Sequence, residues 1–364
     1  MAEKTAREGD IVIVGGYGHV GRNLAECLAP RYPGRVVLAG RSQEKADRAA
    51  ASVGHDSRGM RLDTAEGSAP EGAGVVIMCL DQFDPSFASH CLSGGVGYVD
   101  ISADGRILEM IEALDPTARR NGGSGLIDVG LAPGLTNLAA RLLAESVTDV
   151  RQLDLFVLLG TGDDHGTAAL EWTLDKFDSE FIAFVEGVPH WFRAQRETRS
   201  AEIAGRRRPV LGVRFDFPEQ RSLVRTIGVP TVSSWLVTLP PSAARSMRIA
   251  ALAGGGELTR RPRSRKALLG MLERGGVGTD ECGVLVQATD DQGEMTELSI
   301  LTRDQSRLTG IATALFAAEV IEGRVPPGVH HSDEVLEPRP LLARLAAENP
   351  EINILSTGAN TITE

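Results

Sequence analysis

Three glycines near the start of the chain have a spacing that can bind a diphosphate. Gly16, Gly18 and Gly21 form the pattern G-x-G-x-x-G within the run GGYGHVG. One glycine allows the tight bend, one lets the backbone approach a pyrophosphate, and one lets the following helix pack closely on the strand. The strand DIVIV precedes this turn and the helix NLAECLA follows it. This context predicts a dinucleotide-binding unit rather than a chance glycine match.

The next predicted strand ends at the position where a dinucleotide-binding domain binds the adenosine ribose of its cofactor. This strand, VVLAG, ends at Gly40 and is followed by Arg41 and Ser42. An NAD site places Asp or Glu at this point, and the chain has neither. A guanidinium and a hydroxyl suit a ribose 2′-phosphate, so we expect NADP(H) as the cofactor. Alternatively, Arg41 is a solvated residue at a strand end, which leaves the ribose preference open.

A histidine beside two carboxylates is the first candidate for proton transfer. His165 follows Asp163 and Asp164 in the loop GTGDDHG. An imidazole in such surroundings can exchange a proton near neutral pH. The alternative is that this loop only caps the helix that follows it. Asp104 is the second catalytic candidate, because it follows a strand whose end should face the nicotinamide.

The elements that position these residues alternate between apolar strands and helical patterns as far as residue 130. This alternation is typical of a doubly wound parallel sheet, in which ligands bind beyond the carboxyl ends of the strands. Asp100 lies inside the strand before Ser102, and we expect it to bond backbone groups in a structural role. The cofactor-binding residues expected from this arrangement are Gly16, Tyr17, Gly18, His19, Val20, Gly40, Arg41, Ser42, Asp63, Leu80, Asp81 and Ser102.

The composition limits the class of protein. A chain of 364 residues exceeds what one hydrophobic core usually supports, so two domains are expected. The net charge of -11 argues against nucleic-acid and membrane-surface binding. No apolar stretch is long enough for a membrane span. The four cysteines lack C-x-x-C spacing, which favours free thiols in a reducing cytoplasm. His330 and His331 lack a third ligand at helical spacing, so we predict no metal.

Several runs resemble one oxidoreductase family. GGYGHVG, VVLAGRS, CLDQFDPSFASHCLSGGVGYVDIS and GLAPGLTNLAARLLAE are similar to the NADP-binding half of the saccharopine dehydrogenase-like oxidoreductases. The late run TGIATALFAAEVIEGRVPPGVHHSDEVLEP resembles the C-terminal return of that family. The resemblance covers nearly all of residues 10–135 and 305–345 and is diffuse between them. It implies a Rossmann domain that is interrupted by a second α+β domain.

The sequence supports this division independently. From about residue 150, VRQLDLFVLLG predicts a strand, and TAALEWTLDKFDSEFIAFVE predicts one helix that begins at Thr167. The runs ECGVLVQAT and EMTELSILT flank the turn Asp290-Asp291-Gln292-Gly293, which indicates a β-hairpin. We therefore expect a Rossmann domain over residues 1–132 and 305–364, and an α+β substrate or dimerisation domain over residues 133–304.

The resemblance implies an NADP(H)-dependent oxidoreductase that acts on a small-molecule substrate. Members of the family act on a carbon–nitrogen bond, by reducing an imine or oxidising a secondary amine of an amino-acid-like compound. Two alternatives stay open: a carbonyl or enoyl reductase of secondary metabolism, and a regulator that senses NADP(H) without turnover. A homodimer through the sheet of the second domain also stays open. The candidate anchors for substrate carboxylates are Arg193, Arg196, Arg214, Arg221 and Arg225.

Overall fold

The computed structural model describes residues 6–162, 166–204, 206–256, 259, 261–273 and 278–357. They form two compact units, of which the first comprises Met1–Gly134 and Thr309–Glu337 and the second Leu135–Leu308 and Pro338–Glu364. Among the described residues, no helix combines the length and the apolar character that crossing a membrane requires.

Strands and helices follow one another along both units. The strands are β1 (Asp10–Val14), β2 (Val36–Gly40), β3 (Arg58–Arg61), β4 (Ala73–Met78), β5 (Gly97–Asp100), β6 (Ser124–Ile127), β7 (Gln152–Gly160), β8 (Glu180–Val185), β9 (Val188–Arg193), β10 (Thr198–Ala201), β11 (Val210–Arg214), β12 (Thr231–Leu239), β13 (Glu281–Thr289), β14 (Met295–Arg303), β15 (Gly328–His331) and β16 (Asn353–Thr357). The helices are α1 (His19–Leu28), α2 (Gln43–Val53), α3 (Ser86–Ser93), α4 (Gly105–Glu112), α5 (Asp115–Asn121), α6 (Thr136–Ser146), α7 (Gly166–Lys176), α8 (Glu219–Thr226), α9 (Pro241–Leu252), α10 (Pro262–Glu273), α11 (Gln305–Ile321), α12 (Ser332–Val335) and α13 (Pro338–Glu348).

The first unit is built on a seven-stranded parallel sheet in the order β15-β6-β5-β4-β1-β2-β3. The β-branched residues Ile11–Val14 of β1 are completely buried, as expected of a central parallel strand that helices cover on both faces. β1 pairs with β2 on one side and with β4 on the other. The order of the strands reverses at this point, and the predicted Rossmann architecture is confirmed.

The second unit contains a mixed sheet in the order β10-β11-β12-β7-β13-β14-β16 and a separate hairpin of β8 and β9. β7 and β12 pair in parallel, whereas β13 runs antiparallel to both β7 and β14. The hairpin predicted around Asp290–Gly293 is confirmed, because Thr289 pairs with Met295 across the turn. A stacked pair of rings, Phe156 and Trp235, lies within the apolar core of this unit.

Two sequence-based expectations differ from this fold. The helix predicted from Thr167 is wrong in its second half: α7 ends at Lys176, and Glu180–Val185 is strand β8, whose Phe181 and Ala183 are buried. We also expected the whole of 305–364 in the first unit. The segment Pro338–Glu364 instead belongs to the second unit, since β16 pairs with β14.

Candidate functional site

The candidate cofactor site lies at the carboxyl edge of the parallel sheet. The turn after β1 and the loop after β4 flank the point where the strand order reverses. A ligand of an open α/β sheet binds in the crevice at such a point. Leu80, which follows β4, is 45% exposed and lies against this turn, because a methyl group added to Gly15 would lie 2.8 Å from Leu80 Cδ2. The two segments therefore meet where a dinucleotide would bind.

The glycines of the turn are required by close backbone contacts. A Cβ on Gly16 would lie 2.9 Å from both the Ile13 carbonyl oxygen and Leu38 Cα, and one on Gly21 would lie 2.8 Å from Gly16 Cα. Gly18 is the N-cap of α1 with an extended backbone, and no side chain among the described residues caps this helix end. A helix N-terminus of this kind presents its N–H groups to an anion. The turn fits the diphosphate of NADP.

The end of β2 supplies the expected residues for the ribose. Arg41 is exposed, and Ser42 is the N-cap of α2, where its Oγ accepts a hydrogen bond of 3.4 Å from the Lys45 backbone N–H. The Gly40 backbone lies against the ring of Tyr17. Since the residues at this strand end include a cation and a hydroxyl but no carboxylate, they fit a phosphorylated ribose. His19 and Val20, also expected at the cofactor, are the first two residues of α1.

Asp63 and Asp81 occupy two of the other strand ends. Asp63 follows β3, and its carboxylate accepts a hydrogen bond of 3.1 Å from the Ala65 backbone N–H, so that it caps a short 3-10 turn. Asp81 is exposed in the loop after β4. The structure thus places both residues at the carboxyl edge, as expected, and gives Asp63 a local structural contact as well.

A buried polar network joins β5 to the loop after β4. Oδ2 of Asp100 accepts hydrogen bonds from Tyr98 Oη at 2.8 Å and Gln82 Nε2 at 2.7 Å, and Oδ1 accepts one from the Ser102 backbone N–H. Burial raises the pKa of Asp100 to about 6, although these three hydrogen bonds oppose the rise. Asp100 therefore holds the Gln82 side chain of the loop and the Tyr98 side chain of its own strand, as well as the Ser102 backbone. The sequence did not indicate the roles of Gln82 and Tyr98.

The second catalytic candidate, Asp104, has a structural role in this unit. Its carboxylate accepts a hydrogen bond of 3.0 Å from the Arg106 backbone N–H and lies 3.1 Å from Arg106 Nη2, which makes it the N-cap of α4. Ser102 Oγ in turn accepts a hydrogen bond from the Asp104 backbone N–H at 3.2 Å. The first catalytic candidate, His165, lies outside the described residues, together with Asp163 and Asp164.

A buried ion pair lies farther along the same edge. Nδ1 of His331, at the end of β15, lies 2.8 Å from Oδ2 of Asp128, directly after β6, and Nε2 lies 3.6 Å from Glu112 Oε2. The sequence singled out His331 only as part of a doubtful metal pair. Asp128 was not singled out in the sequence, because it lies within the run GLIDVG that predicts a strand. No group of side chains in the described part of the chain is arranged to hold a metal ion.

Most of the arginines considered for substrate carboxylates have partners within the second unit. Nε and Nη2 of Arg193 lie 2.8 and 2.5 Å from the Asp178 carboxylate, which also lies 3.2 Å from Arg196 Nη2. Arg214 is 4% exposed, and its guanidinium lies 3.7 Å from the ring centroid of Phe192. The other two candidates lie in α8 and are Arg221 and Arg225. Arg193 and Arg196 thus have an ionic partner within the second unit, and Arg214 is buried against an aromatic ring.

Comparisons with known proteins identify the first unit. Residues 11–123 match the family described as the saccharopine dehydrogenase NADP binding domain. Apo saccharopine dehydrogenase (L-Glu forming) from Saccharomyces cerevisiae has a similar fold, with a TM-score of 0.66 at 12% identity over 96% of this chain and 100% of that chain. Scyllo-inositol dehydrogenase from Lactobacillus casei, solved with NAD(H) and scyllo-inositol, matches 95% of this chain and 99% of its own at 10% identity, with a TM-score of 0.45. No curated protein sequence matches the chain.

The family match and the site geometry agree. The matched range contains the glycine turn, Arg41 and the loop after β4. Its description names NADP, which the uncapped helix end and the cationic end of β2 suit. Residues 11–123 therefore match the saccharopine dehydrogenase NADP-binding domain, and the chain is an NADP-dependent oxidoreductase.

Proposed function

We propose that this protein acts on a carbon–nitrogen bond of an amino-acid-like substrate, by reducing an imine or oxidising the corresponding secondary amine. The observation that carries the proposal is the match of residues 11–123 to the NADP-binding domain of saccharopine dehydrogenase. The similar fold of an L-Glu-forming saccharopine dehydrogenase, over 96% of this chain, is consistent with it. The homodimer and the cytoplasmic location stay predictions from the sequence.

The chemistry divides between the cofactor and the protein. NADPH, when bound, supplies a hydride with its two electrons for the imine carbon, and the imine nitrogen takes up one proton. The glycine turn binds the diphosphate, while Arg41 and Ser42 bind the phosphorylated ribose, so that the cofactor is held in one orientation. The loop after β4 is tied through Gln82 to the buried Asp100 carboxylate, which keeps this side of the site in place.

We assign the donation of the proton that the imine nitrogen takes up to His165. An imidazole exchanges a proton near neutral pH, and its protonated form can donate to the substrate nitrogen. Asp104 is less suited to this role, because its carboxylate already accepts hydrogen bonds from the Arg106 backbone and guanidinium.

The reaction class is tested by the choice of co-substrate. Purified protein with NADPH is mixed with a keto acid and an amine together, or with the keto acid alone, and the absorbance of the reduced nicotinamide is followed. We expect oxidation only when both are present, because the imine forms from the two. Equal rates with the carbonyl compound alone would favour a carbonyl or enoyl reductase and overturn the proposal. Saturable NADPH binding without turnover of any pool would favour a regulator and overturn it as well.

The proton assignment predicts the behaviour of His165→Ala. We expect kcat to fall by about 100-fold or more, the usual size of a general-acid contribution, while the Kd for NADPH stays within about twofold. Steady-state kinetics and a fluorescence titration of NADPH measure the two quantities. His190→Ala is the matched control, since this exposed histidine of β9 lies in the same unit. A wild-type kcat in His165→Ala would refute the proton role.

A further inference from the structure

The ring of Tyr17 lies at the end of β2. A methyl group built on Gly40, the last residue of that strand, would lie 2.7 Å from Cζ and 2.8 Å from Oη of Tyr17. The phenol thus lies directly over the Gly40 backbone, which only a residue without a side chain allows. Arg41 follows in the chain, so the phenol and the guanidinium both belong to the strand end where a ribose is read.

The backbone holds the ring in this place. The N–H groups of Gly15 and Gly16 both donate to the Ala39 carbonyl oxygen of β2, at 2.9 and 3.2 Å, and thereby join the turn to the residue before Gly40. Nη2 of Arg22, in α1, donates to the Tyr17 carbonyl oxygen at 3.2 Å. These contacts fix the position of the backbone from which the Tyr17 side chain extends. Its hydroxyl makes no hydrogen bond to any residue in the part of the chain that the structure describes.

We propose that Tyr17 is a specificity residue for NADP over NAD, whose hydroxyl donates a hydrogen bond to the 2′-phosphate of the adenosine ribose. A phosphate monoester carries oxygens that accept charge-assisted hydrogen bonds, and a phenol O–H is a donor. Arg41 supplies the positive charge, and the Ser42 hydroxyl keeps its proton to donate while Oγ accepts from Lys45. An unphosphorylated ribose offers only a neutral 2′-hydroxyl at this point, which is a weaker acceptor.

The rival explanation gives the ring a packing role alone. Tyr17 would then hold the turn against β2 through its aromatic face, and the hydroxyl would contribute nothing. Both explanations predict that removing the ring is harmful. Only the specificity role predicts that removing the hydroxyl alone harms one cofactor and spares the other.

The test is binding of adenosine 2′,5′-bisphosphate and 5′-AMP to wild type and Tyr17→Phe, by isothermal titration calorimetry. We expect Tyr17→Phe to weaken the bisphosphate by about 10-fold to 100-fold, the usual effect of losing a hydrogen bond to a charged group, and to leave 5′-AMP within about twofold. In the same way, Tyr17→Phe should weaken the binding of NADPH and leave the binding of NADH nearly unchanged. Because only binding is measured, failure of the carbon–nitrogen proposal would not affect the result.

Two further variants make the result decisive. Gly40→Ala should cause the same selective loss, because its methyl group displaces the phenol. Tyr32→Phe is the matched control and should leave the ratio of the two ligands unchanged, since Tyr32 precedes β2 and its Oη donates to Glu322 Oε1 at 2.9 Å. Circular dichroism of each variant checks that the fold is intact. If Tyr17→Phe leaves the ratio of the two dissociation constants unchanged, because neither ligand or both ligands equally bind more weakly, the proposal is overturned in favour of a packing role.

Discussion

Replacing His331 by glutamine is expected to lower the free energy of unfolding by about 3–5 kcal/mol at neutral pH. His331 is 5% exposed, and its partner Asp128 is 1% exposed. The substitution removes the imidazolium, whose Nδ1 lies 2.8 Å from the Asp128 carboxylate. The negative charge of Asp128 then stays buried without a cationic partner at this position. An uncompensated buried charge is what makes breaking such a pair costly. Urea denaturation of wild type and His331→Gln measures the loss.

The same substitution should remove a pH dependence of stability. Burial by itself lowers the pKa of His331, but the carboxylates of Asp128, Glu112 and Asp333 outweigh burial and raise the pKa to about 10 from an ordinary value of 6.5. A group with a raised folded pKa contributes its full stability below the unfolded pKa and loses it as the pH rises through the folded pKa. Wild type should therefore lose this contribution between pH 6.5 and about 10, and the variant should not.

His330→Gln is the matched control for this prediction. His330 precedes His331 on the same strand and is 9% exposed, and burial lowers its pKa, which disfavours its charged form. We expect a loss of about 1 kcal/mol, typical of a single substitution, and an unchanged dependence on pH between 6.5 and about 10. Should His331→Gln lose no more than His330→Gln and keep the wild-type pH dependence, Asp128 and His331 do not form a charged pair.

Gly21→Ala is expected to weaken NADPH binding by about 100-fold, which corresponds to roughly 2.7 kcal/mol. The added methyl group would lie 2.8 Å from Gly16 Cα and still closer to the Gly15 carbonyl oxygen. Both contacts are with backbone, so no side-chain rotation can relieve them. The start of α1 must therefore move away from the turn, and the N–H groups that bind the diphosphate move with it.

A fluorescence titration of NADPH measures the effect, below the unfolding temperature of the variant. Gly270→Ala is the matched control, because no described atom of a neighbouring element lies within 4 Å of the methyl group that it adds in α10. That control should bind NADPH like wild type and gain up to about 1 kcal/mol of stability from helix propensity. Wild-type affinity in Gly21→Ala would show that the diphosphate does not bind at this turn.

The cofactor unit could be predicted because its signals are local. The turn, the preceding strand and the following helix lie within Asp10–Leu28, and Gly40, Arg41 and Ser42 follow within one more strand. The backbone geometry of the turn and the charge at the end of β2 depend on residues that are neighbours in the chain, so both can be predicted from consecutive residues. The Rossmann fold, the family and NADP were confirmed on this basis.

Periodicity was misleading where a segment fits two structures. Phe181, Ala183 and their apolar neighbours continue the helical pattern of α7, yet they form strand β8 because β9 pairs with it. In the same way, nothing local in Asn353–Thr357 shows that it pairs with β14 rather than returning to the first unit. Such pairings are decided by distant partners, which override local propensity.

By itself the sequence determined the class of fold, the glycine turn and NADP as the expected cofactor, because each depends on a short run of residues with its own backbone geometry or charge. The tertiary structure alone decided which polar groups meet at the carboxyl edge. Asp128 and His331 are separated by 203 positions, and Tyr17 meets Gly40 only because the turn folds back onto β2. Parallel strands bring their ends together irrespective of distance along the chain, so no local pattern records these contacts.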